Sequence, residues 1–185
     1  MRSRSVRNAN PWRRSAALVR TGGEVSISFC VYGKPAQQGS KKGFVVKGRA
    51  IIVEANDKAK REWRQSVCMA AREAMNGREL LTGPVVLQVS FFFRRPKSHY
   101  GSGKNANKLK ASAPVEHTQA PDLDKLVRNV GDGLTGTVLR DDSQICEILA
   151  GRSWTEEAER AVVVVDEISR SEEHDTESPE NRAAS

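Results

Sequence analysis

Four carboxylates fall into two short clusters. Asp122 and Asp124 lie in Pro121-Asp122-Leu123-Asp124-Lys125-Leu126-Val127-Arg128, and Asp141 and Asp142 open Asp141-Asp142-Ser143-Gln144-Ile145. The chain around them is strongly basic, with a formal net charge of +7. Acidic clusters on a basic protein suggest a metal ion held against a polyanion. Adjacent carboxylates such as Asp141 and Asp142 repel unless a cation or turn amides separate them. Oxygen ligands of this kind suit Mg²⁺, with Mn²⁺ as a substitute, and not zinc. The chemistry expected is phosphodiester hydrolysis, with metal-activated water attacking in line.

The metal set expected is Asp122, Asp124, Asp142 and the neighbouring Asp141. Pro121 holds Ala120 toward extended geometry and suits a helix start. In extended backbone Asp122 and Asp124 point the same way. In a continuous helix they would diverge by about 200°. A shared metal therefore favours a junction just ahead of the helix, whose N-terminus also keeps both side chains ionised. Arg128 follows Asp124 by four residues and Asp132 follows Arg128 by four, so the three share a stripe. That stripe reads either as a surface salt-bridge ladder or as a cation placed beside the metal, stabilising the phosphate transition state.

Charge is unevenly spread. Residues 166–185 hold seven acidic and two basic residues, and the rest of the chain carries a net of +12. That excess points to nucleic acid. Cys30, Cys68 and Cys146 are far apart and form no C-x-x-C pair, which indicates neither a zinc ribbon nor a disulfide framework. They fit a reducing cytoplasm. No apolar run approaches the ~20 residues of a membrane span, and no membrane partner or small-molecule cofactor is expected.

The elements that must position the carboxylates read as α+β, a mixed sheet with helices packed against it. Alternation over Val25–Val31 predicts a strand, and residues 44–46 with 51–53 predict a hairpin. A helix runs from Asn56 or Asp57 to about Gly77, with Trp63, Val67, Ala70, Ala71 and Ala74 as its apolar stripe. Val85–Phe93 is the next strand. A second helix carries Leu123, Leu126, Val127, Val130 and Leu134, weakened toward its end by Gly131, Gly133 and Gly136. Two strands follow, from Ile145 to about Trp154 and over Val162–Val165. Residues 94–120 lack apolar periodicity and read as a DNA-contacting flap. Its Arg94, Arg95, Lys97, Lys104, Lys108 and Lys110, with Lys41, Lys42 and Lys47 of the hairpin region, are the expected phosphate contacts. A solvated charge run is the plainer reading of the hairpin lysines. His99 and His117, at the ends of the loop, receive no role. Residues 1–22 read as a basic disordered arm, 23–169 as the folded domain and 170–185 as an acidic disordered tail.

The two motifs, read together, resemble the RusA family of Holliday junction resolvases of phages and prophages. There a PD-x-D-N-L segment opens a helix and a DD-x-Q segment follows a turn. Gly33-Lys34-Pro35-Ala36-Gln37-Gln38-Gly39-Ser40 also looks like phage members. The resemblance implies homodimers that nick opposed strands of four-way junctions with Mg²⁺. It also implies metal binding by Asp122, Asp124 and Asp142, with Asp141 less critical. Two departures stand out: Lys125 replaces the family asparagine, and Arg128 the family lysine. Arg128 keeps the charge but exchanges a proton less readily. Lys125 adds a cation where an amide usually sits, and can supply part of the lysine's role.

A structure-selective endodeoxyribonuclease is the reading this favours, with Asp122, Asp124, Asp142, Arg128 and Lys125 as its catalytic residues. A non-catalytic protein of the same fold that binds branched DNA is the alternative, in which the two replacements reflect lost activity. A PD…E-x-K restriction-type nuclease fits Pro121-Asp122 but lacks a following Glu/Asp-x-Lys. A phage regulator of duplex DNA would not need clustered aspartates.

Overall fold

The computed structural model describes residues 25–39, 41–46, 48–54 and 57–168. The expected arm at 1–22 and tail at 170–185 lie outside the described residues, as does Lys47. The elements are β1 (Ser26–Tyr32), β2 (Lys41–Val46), β3 (Arg49–Glu54), α1 (Asp57–Met75), β4 (Val85–Arg94), α2 (Leu123–Leu134), β5 (Ile145–Thr155) and β6 (Arg160–Glu167). This is the α+β order expected from the sequence.

Four strands form one mixed sheet in the order β1-β6-β4-β5. β4 pairs parallel with β5 and antiparallel with β6, and β1 pairs antiparallel with β6. β2 and β3 form a separate antiparallel hairpin. β4 sits inside the sheet, and every second residue from Val85 to Phe93 is buried. Each such side chain contributes roughly 1.5–3 kcal/mol relative to leaving it in water. Ile27, Val31, Ala161, Val163 and Val165 extend the same face across β1 and β6.

α1 and α2 join that core through Trp63, Val67, Ala71 and Met75 on one helix and Leu126, Val127, Val130 and Leu134 on the other. Trp63 is 4% exposed, the core anchor its stripe predicts. Gly133 explains how the helices approach. A Cβ there would lie 2.9 Å from Val67 Cγ1 and 3.4 Å from the Arg64 carbonyl. The helix tolerates this glycine because the contact requires it. Gly136, at φ +73°, turns the chain out of the helix.

Parallel strands need a crossover connection. Here the crossover is residues 95–144, and it carries both carboxylate clusters. Its first part, the expected flap, is ordered by its own hydrogen bonds. Tyr100 pairs with Leu109, Gly101 N–H donates to the Lys108 carbonyl, and Lys110 N–H donates to the His99 carbonyl. His99 and His117 are buried against Trp154, at ring-centroid distances of 5.1 and 4.1 Å, and His117 also meets Phe93 at 4.6 Å. The two histidines staple the loop to the ends of β4 and β5.

Candidate active site

Asp122 is the N-cap of α2. Its backbone is extended (φ −69°, ψ 136°) and its side chain makes no capping bond, so the exposed carboxylate projects from the junction ahead of the helix. Asp124 lies in the first turn of the helix. Lys125 Nζ donates to Asp122 Oδ2 at 2.6 Å. That bond and the ammonium charge hold the Asp122 carboxyl below its ordinary value, and the Arg152 charge adds to the effect. The same bond raises the proton affinity of Lys125, and the Asp124 charge reinforces it.

The segment ahead of α2 is positioned from two sides. Arg152, on β5, donates through Nη1 to the Gln119 carbonyl at 2.9 Å and also to the Pro121 carbonyl. On the other side, Asp122 N–H donates to Gln37 Oε1 at 2.6 Å, and Gln38 N–H donates to the Lys125 carbonyl at 3.0 Å. Asn129 is 0% exposed. Its amide donates to the Ala36 carbonyl at 2.7 Å and the Lys60 carbonyl at 3.3 Å, and its Oδ1 accepts from Arg64 Nε at 3.3 Å. The Gly33–Gly39 segment is therefore a clamp over α2. Sequence reasoning missed Arg152, Gln37 and Asn129. Arg152 did carry a signal: it interrupts the inward face of β5 between Ala150 and Trp154, in register with Phe91.

Asp132 does not complete a ladder with Arg128. It pairs with Arg64 Nη2 and accepts from Gln38 Nε2 at 2.7 Å. Arg128 is exposed and has no partner among the described residues. The ladder reading is corrected: the carboxylate it needs is held by α1 and the clamp, which leaves Arg128 available to a ligand.

The second cluster is a rigid turn. Asp141 Oδ1 accepts from Ser143 N–H at 2.9 Å, and Gln144 Oε1 accepts from the amides of Arg140 (2.8 Å) and Asp141 (3.0 Å), a reciprocal cap. Hydrogen bonding by Ser143 holds the Asp141 carboxyl below its ordinary value. Gln144 Nε2 fastens the turn to the Leu81 and Gly83 carbonyls, each at 2.9 Å. Asp141 and Gln144 build the turn, and Asp142 stands exposed on it.

The first cluster sits at the head of α2, and the second follows its C-terminal end. α2 runs back along β5, so that Gly131 faces Ile145, three residues beyond Asp142. Nine residues separate Gly131 from Asp122, about 13 Å at 1.5 Å per residue. No group of three or more His, Cys, Asp or Glu among the described residues is placed to hold a metal. Asp122, Asp124, Asp141 and Asp142, expected on one site, form no ready-made ligand set of three or more among the described residues. The donor chemistry of Asp122 and Asp124 still fits a hard divalent cation, since both are exposed oxygen donors.

Among the expected phosphate contacts, Arg94, Lys97, Lys104, Lys108 and Lys110 are exposed. Lys110 Nζ is occupied by the Ser98 carbonyl at 2.9 Å. Arg95 is spent on the loop: it donates to the Pro114 carbonyl at 2.8 Å and lies 5.6 Å over Trp154. Lys41 and Lys42 belong to β2.

Comparison with known proteins closes the question of kinship. The chain is 32% identical over 144 residues to the uncharacterized protein YqaN of Bacillus subtilis (strain 168), an alignment covering 77% of this chain and 97% of that protein. The model of the family described as endodeoxyribonuclease RusA matches residues 33–166, from the clamp through α2 and the acidic turn to the last strand. This chain, with its aspartate pair at the head of α2, belongs to the RusA endodeoxyribonuclease family.

Proposed function

We propose that this protein is a Mg²⁺-dependent, structure-selective endodeoxyribonuclease that resolves Holliday junctions or related branched DNA by paired symmetric nicks, acting as a homodimer in the cytoplasm of a bacterial host. The observation that carries the reading is the pair Asp122 and Asp124. Both are exposed at the head of a helix that lies inside the family match. Asp122 and Asp124 would hold the metal, which supplies an activated water and neutralises charge developing on the phosphate. Two carboxylates leave Mg²⁺ short of ligands. Substrate phosphate oxygens, water or the Asp142 turn of a second protomer must complete its shell.

The protein's own groups do the rest. Arg152 and Gln37 hold the Asp122 backbone from opposite sides. Arg128, permanently charged, stabilises the transition-state phosphate and does not act as a general acid. The exposed lysines of residues 97–110 bind duplex arms through phosphates. A four-way junction needs two nicks, and a C₂ dimer offers two carboxylate sets. The apolar face of α2 and the inward face of β4 are buried within the protomer. The dimer must use other surface.

Incubating the protein with a synthetic four-way junction, with and without Mg²⁺, tests the reading. Symmetric paired nicks that require Mg²⁺, together with a dimer by sedimentation, support it. Tight junction binding without nicks in either condition favours the non-catalytic DNA-binding alternative.

A further inference from the structure

The Gly33–Gly39 clamp does more than hold α2. Between it, the outer face of α1 and Ala120-Pro121 lies an open groove of about 660 Å³. That volume is within the roughly 300–1,000 Å³ typical of small-molecule sites. Its lining combines Tyr32, Lys34, Gln37, Glu62, Trp63 and Ser66. Tyr32 is 70% exposed at the end of β1, an aromatic ring without apolar cover. Lys34 is an exposed cation beside it. Gln37 and Glu62 offer hydrogen-bonding groups, and the Ser66 hydroxyl lies on the same helix face, donating to the Glu62 carbonyl at 3.0 Å.

The groove borders the segment that carries the carboxylates. Gln37 lines it and its Oε1 accepts from Asp122 N–H at 2.6 Å, while Pro121 forms its edge. A phosphate at Asp122 would therefore place the neighbouring nucleotide at the mouth of the groove. The chemistry of the lining matches that nucleotide: a ring to stack on, a cation for its phosphate and polar groups for a base edge.

We infer that this groove takes one unpaired nucleotide next to the phosphate held at Asp122, and so sets which sequence is cut. The inference rests on the nuclease reading for its consequence, sequence preference, but its binding step is independent of cleavage. Occupancy pushes on Gln37, which positions Asp122, so a well-fitting base aligns the carboxylate and a poor one does not.

The test uses the full-length protein and four-way junctions carrying 2-aminopurine at single positions around the branch, in Ca²⁺ to read binding and in Mg²⁺ to read cutting. At one position the fluorescence is expected to change by about twofold or more on binding, because the base leaves its stack. Tyr32→Ala, at a highly exposed site, and Ser66→Trp, which fills the groove, should both abolish that change. In Mg²⁺ an abasic site at the same position should slow wild-type cutting by about tenfold, near the loss of one base stack. Tyr32→Ala should lose this dependence. A wild-type protein that shows the Tyr32-dependent fluorescence change but never cuts would contradict the nuclease reading and leave the groove assignment standing. Cutting by wild type with no fluorescence change sensitive to Tyr32 or Ser66 would overturn the groove assignment and leave the nuclease reading intact.

Discussion

Lys125 Nζ sits 2.6 Å from Asp122 Oδ2, so the first carboxylate of the pair already carries a cation of its own. The RusA pattern places an asparagine at position 125, and the substitution brings a positive charge to the place a divalent ion would occupy. Two like charges about 4 Å apart cost roughly 1 kcal/mol per unit product even in water. Lys125→Asn is predicted to tighten Mn²⁺ binding by about tenfold, measured calorimetrically on DNA-free protein. Unchanged or weaker binding would show that the ammonium does not compete.

Gly133 and Gly131 stand two residues apart on α2 and should respond with opposite sign. Gly133→Ala drives a methyl to 2.9 Å from the fully buried Val67, a stiff β-branched neighbour. Overpacking of this kind costs about 1–3 kcal/mol and outweighs the ~1 kcal/mol that alanine gains in a helix. A Cβ at Gly131 meets only Ile145 Cδ1, at 3.9 Å, so Gly131→Ala keeps the propensity gain. Thermal melts should show a lower Tm for Gly133→Ala and a higher one for Gly131→Ala. Val67→Ala should relieve part of the first loss.

Burial holds the His117 imidazole below its ordinary value. The unfolded chain therefore takes up this proton first as pH falls. The contribution is complete above about pH 6.5 and declines below it until the folded-state value is passed. Melting temperature should drop between about pH 7 and pH 5, with the loop near Trp154 becoming sensitive to protease in the same range. His117→Phe should flatten both profiles. A wild-type profile that rises on acidification would contradict the staple.

Arg128 projects from α2 without a protein partner. Arg128→Ala should slow single-turnover cleavage by about 10²–10³, the range for one preorganised electrostatic contact, while Arg128→Lys retains much of the rate. An Arg128→Ala protein that cuts at the wild-type rate would remove this residue from the reaction.

The order of elements was legible because its signals are local. The alternation of Val85, Leu87, Val89, Phe91 and Phe93 is one buried face of a strand, and Trp63, Val67 and Ala71 are one stripe of a helix. The order β1-β6-β4-β5 was not, since pairing β1 with the last strand depends on contacts far apart in sequence. The candidate site divided the same way. Asp122 and Asp124 could be found from type and spacing alone. The gap from Asp124 to Asp141 could equally have folded the two clusters together. Only the course of α2 along β5, with Gly131 against Ile145, sets the spacing between them. Gln37, Asn129 and Arg152 escaped because each acts on backbone atoms of a distant segment, and single polar side chains announce no such target.

The central claim is that Asp122 is a metal ligand of a nuclease that acts on branched DNA. It is tested most directly by comparing wild type and Asp122→Asn on one synthetic four-way junction, recording bound and nicked DNA together at saturating protein with Mg²⁺. The account predicts paired nicks by wild type, loss of nicking by Asp122→Asn of about 10³ or more, and junction affinity unchanged or tighter once a repulsive charge is removed. Wild-type-like nicking by Asp122→Asn, or equal loss of binding and cutting, would contradict it.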